Sequence, residues 1–473
     1  MPAAATREPF WRCTGLGFGN ETPSDSGGRS PRNRELPKPK SPCHGIFAPR
    51  VPHSPLLRRA VLRRAAETVN RRLEHAQVLV LSGPRAVGKS TLLRELAAAR
   101  SRTILDLDDP AMRRAVAADP RHLLDRPRPV FVDEFARVPE VVDVIKRLLN
   151  QDGAPGQFVL AGSTRYGAVP AVAQALTGRV DIVPVWPLSQ GEIHRQREAF
   201  VERLVAGATP VLDPVRGARA EIAAALIAGG MPMPLALPNP AARSRWFDQY
   251  LNLTLEKDVA EIAKVRRRVL LPRLAAAAAR RTAQLLNVAE LARDLDIDRS
   301  TAEDYLRLLE AVFLHHVLPA WGTTLAARAA ATAKLHFVDT GLAARLMRVT
   351  SDKLLLAQPS AMQQFGHLLE TFVVNELCKQ AHWLDEPLDV GHWRTHDGME
   401  VDLVMERSDG SVLAFEVKAA PDVRSEDLRG VRALQRRLGG DRVTGIVLHA
   451  GTEGWRVDDG VFAVPIARLW TPG

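Results

Sequence analysis

The run Gly83-Pro84-Arg85-Ala86-Val87-Gly88-Lys89-Ser90-Thr91 carries residue types suited to gripping phosphate. Its spacing fits G-x-x-x-x-G-K-[ST]. The glycines let backbone N–H groups turn inward around anionic oxygens, lysine brings a cation, and a hydroxyl can ligate a metal ion. The chemistry expected is binding of ATP with Mg²⁺, Lys89 reaching the β- and γ-phosphates and Ser90 on the ion. Two more groups belong to the same chemistry. Asp133 and Glu134 close the apolar run Val130-Phe131-Val132; the first would support the metal shell and the second would orient and polarise the attacking water. An ordinary acidic turn is the other reading of that pair. Ser163 and Thr164 follow the apolar run Phe158–Gly162 and could sense the γ-phosphate or position the water. Arg179 ends a helical stretch, either as an arginine finger acting in cis or on a neighbouring chain, or as a cation on a helix dipole.

These groups need a scaffold that presents them together. Val78–Leu81 reads as a buried strand before the loop, and Thr91–Leu96 as the helix after it, whose N-terminus adds partial positive charge under the phosphates. Thr103–Leu107, Val130–Asp133 and Phe158–Gly162 read as further strands. Strands alternating with helices, with catalytic groups at strand C-termini, predict a parallel α/β sheet. A basic amphipathic helix over 56–74 (Leu57, Val61, Leu62, Ala65, Val69) precedes it.

In this order the segments Gly83–Ser90, Val130–Glu134 with Phe135-Ala136-Arg137-Val138-Pro139-Glu140, Gly162-Ser163-Thr164, Gly178-Arg179 and Trp186-Pro187-Leu188-Ser189 resemble the AAA+-superfamily ATPases of bacteria and archaea that carry a C-terminal domain of unknown function. The resemblance spans roughly residues 56–473. It implies an ATPase core, a helical and winged-helix middle, and a nuclease-like C-terminal domain. The expected divisions are an unfolded basic extension over 1–54, the P-loop domain over 55–191, the middle domain over 192–349 and the last domain over 350–473.

In the middle, Gly229-Gly230-Met231-Pro232 is a loop matching a family feature, and a helix is expected near 246–259. Lys264, Arg266, Arg267, Arg268 and Arg273 form a basic cluster. Asn287–Arg293 and Asp298–Leu306 read as helix–turn–helix, with Asp298 as N-cap of the second helix. That helix carries Arg299 and Arg307 against Asp298, Glu303, Asp304 and Glu310. Phosphate contacts dominate affinity for DNA, so this balance favours an interaction or lid role over base reading. His315 and His316 read as structural.

Near the C-terminus, Glu400–Met405 and Val412–Lys418 flank Ser408-Asp409-Gly410, a hairpin signal. Glu416 and Lys418 share a strand face, and the turn brings Asp402 beside them. Glu370 lies on the helix before, with Glu376. This constellation is similar to the PD-(D/E)xK nuclease pattern, with Val401 in place of its proline. The resemblance implies that Asp402 and Glu416 hold Mg²⁺ and that Lys418 orients the water or stabilises the charged phosphate. Arg429, Arg432 and Arg436 fall on one helix face and could meet a nucleic-acid backbone. Solvated hairpin charges, or a nuclease fold without activity, are the alternatives.

The 473 residues are 46% hydrophobic and 25% charged, ordinary for a globular protein, with a formal net charge of +10 that permits nucleic acid without establishing it. No apolar run is long enough for a membrane span and the N-terminus lacks a signal pattern, so a cytoplasmic protein is expected. Cys13, Cys43 and Cys378 have no metal-ligand spacing. The partners expected are nucleotide, then DNA or a protein; oligomeric state stays open.

Overall fold

Five short strands build the first sheet, and the runs Val78–Ser82, Val130–Asp133 and Phe158–Gly162 are buried along their whole length, so they must be covered on both faces. They are β1 (Val78–Ser82), β2 (Ile104–Asp106), β3 (Val130–Asp133), β4 (Phe158–Gly162) and β5 (Val180–Pro184). All pair in parallel, in the order β2-β3-β4-β1-β5. The fold is therefore α/β around a parallel central sheet. The computed structural model describes residues 61–123, 126–163, 176–217, 219–262, 267–322, 324, 332–356 and 358–471. Thr164, Lys264, Arg266 and the extension over 1–54 lie outside them.

The helix expected from residue 56 starts at Arg64 and ends at Arg72 among the described residues. Ala65 and Val69 are buried, but Leu62 is 90% exposed, so the apolar period begins later than the sequence suggested. The middle holds the helices Pro240–Leu253, Leu270–Ala279, Val288–Leu295 and Arg299–Ala311. The first continues through a wider turn, Thr254–Asp258, into Val259–Ile262. Three short strands form a second sheet, β6 (Gln284–Leu285), β7 (His315–Leu318) and β8 (Lys334–Phe337), in the order β6-β8-β7, antiparallel. Asp298 sits at the expected N-cap position, but its side chain makes no capping bond.

The third sheet has six strands: β9 (Asp389–Arg394), β10 (Glu400–Glu406), β11 (Val412–Lys418), β12 (Val443–His449), β13 (Trp455–Asp458) and β14 (Val461–Pro465). Their order is β13-β14-β12-β11-β10-β9. The expected hairpin joins β10 to β11, with Gly410 in the left-handed conformation its turn demands. The 24-residue helix Pro359–His382 is buried along much of its length. Its Asn375, Thr371 and Gln380 bond to β7, β8 and the segment near Val201, within the compact unit Pro49–Gly473. Among the described residues no helix is long and apolar enough to cross a membrane.

Candidate functional site

The phosphate loop leaves β1 at Ser82 and enters the helix Lys89–Ala98. Gly83 has no room for a side chain: a Cβ there would lie 2.1 Å from the Val185 carbonyl oxygen. Gly88 is left-handed at φ 100° and forms the helix N-cap, the backbone requirement that glycine meets without steric cost. Ala86 is also left-handed. Lys89 is buried, and its ammonium donates to the carbonyls of Gly83 and Pro84, both at 2.8 Å. The lysine thus folds over its own loop. Burial pulls its pKa down to about 8, against the opposing pull of Glu134 and Asp133.

Strand order brings the other groups alongside. β4 lies between β1 and β3, so Ser163, just past its end, stands between the loop and the acidic pair. Asp133 is buried and bonded to the Ser90 hydroxyl; burial raises its pKa. The Glu134 N–H donates to Asp133 Oδ1 at 3.1 Å. Glu134 has a left-handed backbone at φ 48°, which turns it out of the strand line, and burial raises its pKa too. Ser163 Oγ donates to Glu134 Oε2 at 3.3 Å. Lys89, Ser90, Asp133, Glu134 and Ser163 therefore meet at one sheet edge.

Arg179 does not join them. It precedes β5, and the register pairs Val180 with Val78 and Pro184 with Ser82. It thus sits at the opposite edge of the sheet from the loop, about 13 Å of strand away. Its guanidinium donates to the Lys146 carbonyl at 3.4 Å. This placement does not bring Arg179 to the loop.

Three contacts of the site do not follow from the sequence patterns. Arg85 at the loop tip pairs with the carboxylate of Asp258 in the middle segment, at 2.8 Å. Arg63 is buried beneath the loop and donates to Val87 O, Trp186 O and Glu192. Asp106 pairs in register with Asp133 and raises its pKa further. Asp106 could have been found as the acidic end of a third strand; the other two have no local signal.

The C-terminal constellation is assembled, though with a different cation. The ladder pairing Leu403 with Phe415 places Asp402 opposite Glu416, and the Val417 N–H donates to Asp402 Oδ2. Lys418 donates to Glu416 Oε1 at 2.8 Å. The position between the carboxylates is taken by Lys334 from β8, which is 2% exposed. Its ammonium contacts Glu370 at 2.6 Å, Asp402 at 3.0 Å, and Glu400. Burial alone would lower the Lys334 pKa, but Asp402, Glu370 and Glu400 hold it well above its usual value. Burial and Asp402 raise Glu416 to about 8. Among the described residues no group of three or more His, Cys, Asp or Glu side chains is disposed to hold a metal ion. The expectation that Asp402 and Glu416 form such a centre is corrected accordingly: an ammonium supplies the positive charge there. Glu376 serves elsewhere, accepting from the Gln190 N–H and pairing with Lys379.

Residues 75–194 match the family described as AAA domain. Residues 219–353 and 365–469 match two families described as domains of unknown function, DUF8612 and DUF4143. Uncharacterised proteins of Mycobacterium tuberculosis and Mycobacterium bovis are each 27% identical over 445 residues, covering 92% of this chain and 90% of theirs. Among solved structures, the Walker-type ATPase of Pyrococcus abyssi is 15% identical with a TM-score of 0.37, covering 60% of this chain and 95% of its own. AMPPCP-bound DnaA from Aquifex aeolicus is 14% identical with a TM-score of 0.26, covering 54% and 90%. Residues 75–194 thus join a parallel α/β sheet to a phosphate loop, in a segment similar to the AAA domain.

Proposed function

We propose that the chain binds ATP with Mg²⁺ at the P-loop and hydrolyses it, and that nucleotide state governs the middle and C-terminal parts. The observation that carries this is the convergence of Lys89, Ser90, Asp133 and Glu134 at one edge of a parallel sheet. The Ser90 hydroxyl and Asp133 carboxylate are already hydrogen-bonded, a hard oxygen pair that suits Mg²⁺. Those two residues would hold the ion, whose charge offsets that of the phosphates. Lys89 exchanges its loop carbonyls for phosphate oxygens. Glu134 orients and polarises water, and Ser163 holds Glu134 in place. Steady-state ATP hydrolysis by wild type and Glu134→Gln, with DNA, with RNA and with no polymer, tests this. The variant is expected to bind ATP without turning it over; hydrolysis at the wild-type rate would refute the assignment.

What supports a winged-helix reading of the middle segment is the succession of the helix Leu270–Ala279, β6, the helices Val288–Leu295 and Arg299–Ala311, and the antiparallel pair β7–β8. In the helix Arg299–Ala311, Arg299 pairs with Glu303 and Arg307 with Asp304. Both arginines are thus engaged within their own helix, which favours a lid or interaction role over base reading. Stimulation of hydrolysis by DNA would reverse that preference.

A second reading has its own support. Lys334 among the C-terminal carboxylates favours a nucleotide-gated protein-interaction switch whose nuclease-like domain does not cut. Tight ATP binding with negligible turnover, and no nicking of plasmid with Mg²⁺, would favour it. Equal cutting by wild type and Lys418→Ala would exclude Lys418 from any nuclease site.

A further inference from the structure

We propose that Arg85 is the residue that reads the terminal phosphate, and that Asp258 of the middle segment holds it in reserve until nucleotide arrives. The inference rests on the ATP site proposed above and says how that site reaches the middle segment. Three observations carry it. The first is position. Arg85 is the third residue of the phosphate loop, next to Gly83 and Pro84, whose carbonyls Lys89 holds. Its charge acts on both Lys89 and Glu134, so the guanidinium shares one electrostatic neighbourhood with the phosphate lysine and the water-positioning carboxylate. A guanidinium binds phosphate oxygens in pairs, through parallel N–H donors.

The second is the partner that Arg85 has now. Its Nε donates to Asp258 Oδ2 at 3.0 Å, and a terminal nitrogen lies 2.8 Å from Oδ1. Asp258 is buried and ends the wide turn Thr254–Asp258. Wide turns of this kind inside helices occur frequently at functional sites. The Asp258 carboxylate also acts on Lys89, so the middle segment aims a negative charge at the ground a triphosphate must occupy. Phosphate entering there repels Asp258 and competes with it for Arg85, and both effects break the same pair.

The third is a pair of unused donors. Tyr250 and Thr254 precede Asp258 on the same helical stretch and are buried. Neither hydroxyl has a hydrogen-bond partner of good geometry, and Thr254, Asp258 and Arg85 all act on the Tyr250 hydroxyl. Buried hydroxyls left unpaired are costly. A carboxylate released by Arg85 would find both of them close by. Asp258 thus has two sets of partners: Arg85 when the loop is empty, and the hydroxyls when phosphate holds Arg85. The change does not stay local. Asp248, on the same helix, accepts from Arg345 through both of its oxygens, at 2.7 and 2.6 Å. Arg345 belongs to the helix Thr340–Met347, which follows β8, so a shift at Asp258 is passed to the second sheet.

The test is equilibrium binding of Mg·AMPPCP, an ATP analogue that is not cleaved, and of Mg·ADP to the full chain. Arg85→Met is expected to weaken AMPPCP at least about tenfold and ADP by less than about threefold. Asp258→Asn, isosteric and uncharged, should tighten AMPPCP at least about threefold. Tyr250→Phe/Thr254→Val should leave the thermal midpoint of the nucleotide-free protein unchanged or raised, because the hydroxyls it removes are unpaired there. The same variant should weaken AMPPCP at least about threefold. Arg85→Gln keeps a donor for Asp258 and takes the place of Arg85→Met if that variant does not fold. An unchanged AMPPCP-to-ADP ratio in the Arg85 variant, weaker AMPPCP binding by Asp258→Asn, or wild-type AMPPCP binding by the hydroxyl variant would each overturn the proposal and leave the ATP site standing. Wild type that binds neither nucleotide, or Lys89→Met that binds both as wild type does, would instead remove the ATP site, and this inference with it.

Discussion

Lys89→Met separates the cost of the phosphate lysine from its use. In the folded chain the Lys89 pKa lies near 8, below the ordinary 10.5, chiefly because the ammonium is buried. A displacement of that size corresponds to about 3 kcal/mol against the folded state at neutral pH. Methionine has similar bulk and no charge, so it relieves that cost. It also orphans the carbonyls of Gly83 and Pro84, which lose their 2.8 Å bonds, a loss of about 1 kcal/mol each. The net expectation is a nucleotide-free variant about 1 kcal/mol more stable than wild type, raising the thermal midpoint by roughly 1–2 °C. The sign with pH follows from linkage. Between pH 8 and 10.5 the unfolded lysine keeps a proton that the folded one has lost, so wild-type stability rises with pH across that window. The variant should lack this contribution to the rise. Thermal scans with and without Mg·ATP complete the assay. Wild type should shift upward with ligand, as binding to the native state requires, and the variant should not. A variant destabilised by more than about 2 kcal/mol, or one that shifts with ATP like wild type, would refute the reasoning.

Gly83→Ala places a Cβ 2.1 Å from the Val185 carbonyl oxygen; chemical denaturation should show a loss of about 1–3 kcal/mol. Asp258→Asn removes the charge that holds Arg85. It should cost about 1 kcal/mol or less, since Arg85 is partly exposed, and amide exchange over residues 83–90 should quicken. Ser163→Ala deletes the hydroxyl on Glu134; kcat should fall about 3- to 10-fold with little change in KM, in line with one lost hydrogen bond. Arg179→Ala should leave ATP affinity within about twofold, because the residue lies at the far sheet edge.

The phosphate loop was legible because its chemistry is local. Gly83, Gly88, Lys89 and Ser90 are contiguous, and the strand before and helix after them follow from adjacent residue patterns. Asp133 and Glu134 could be read for the same reason, as polar residues ending a buried run. The hairpin that sets Asp402 opposite Glu416 was also accessible, since a short turn fixes antiparallel register. What the chain order could not supply was lateral order within the parallel sheet. Inserting β4 between β1 and β3 is a long-range choice, and it alone puts Ser163 against Glu134. The parallel register of β5 likewise sends Arg179 to the wrong edge, which its glycine-arginine context does not reveal. Arg85 with Asp258 and Lys334 with Glu370, Glu400 and Asp402 are contacts between segments far apart in sequence. Such pairings carry no periodic or spacing signature. Packing of β8 against the helix Pro359–His382 and the third sheet decides the Lys334 cluster, where burial forces each charge to find its counterpart.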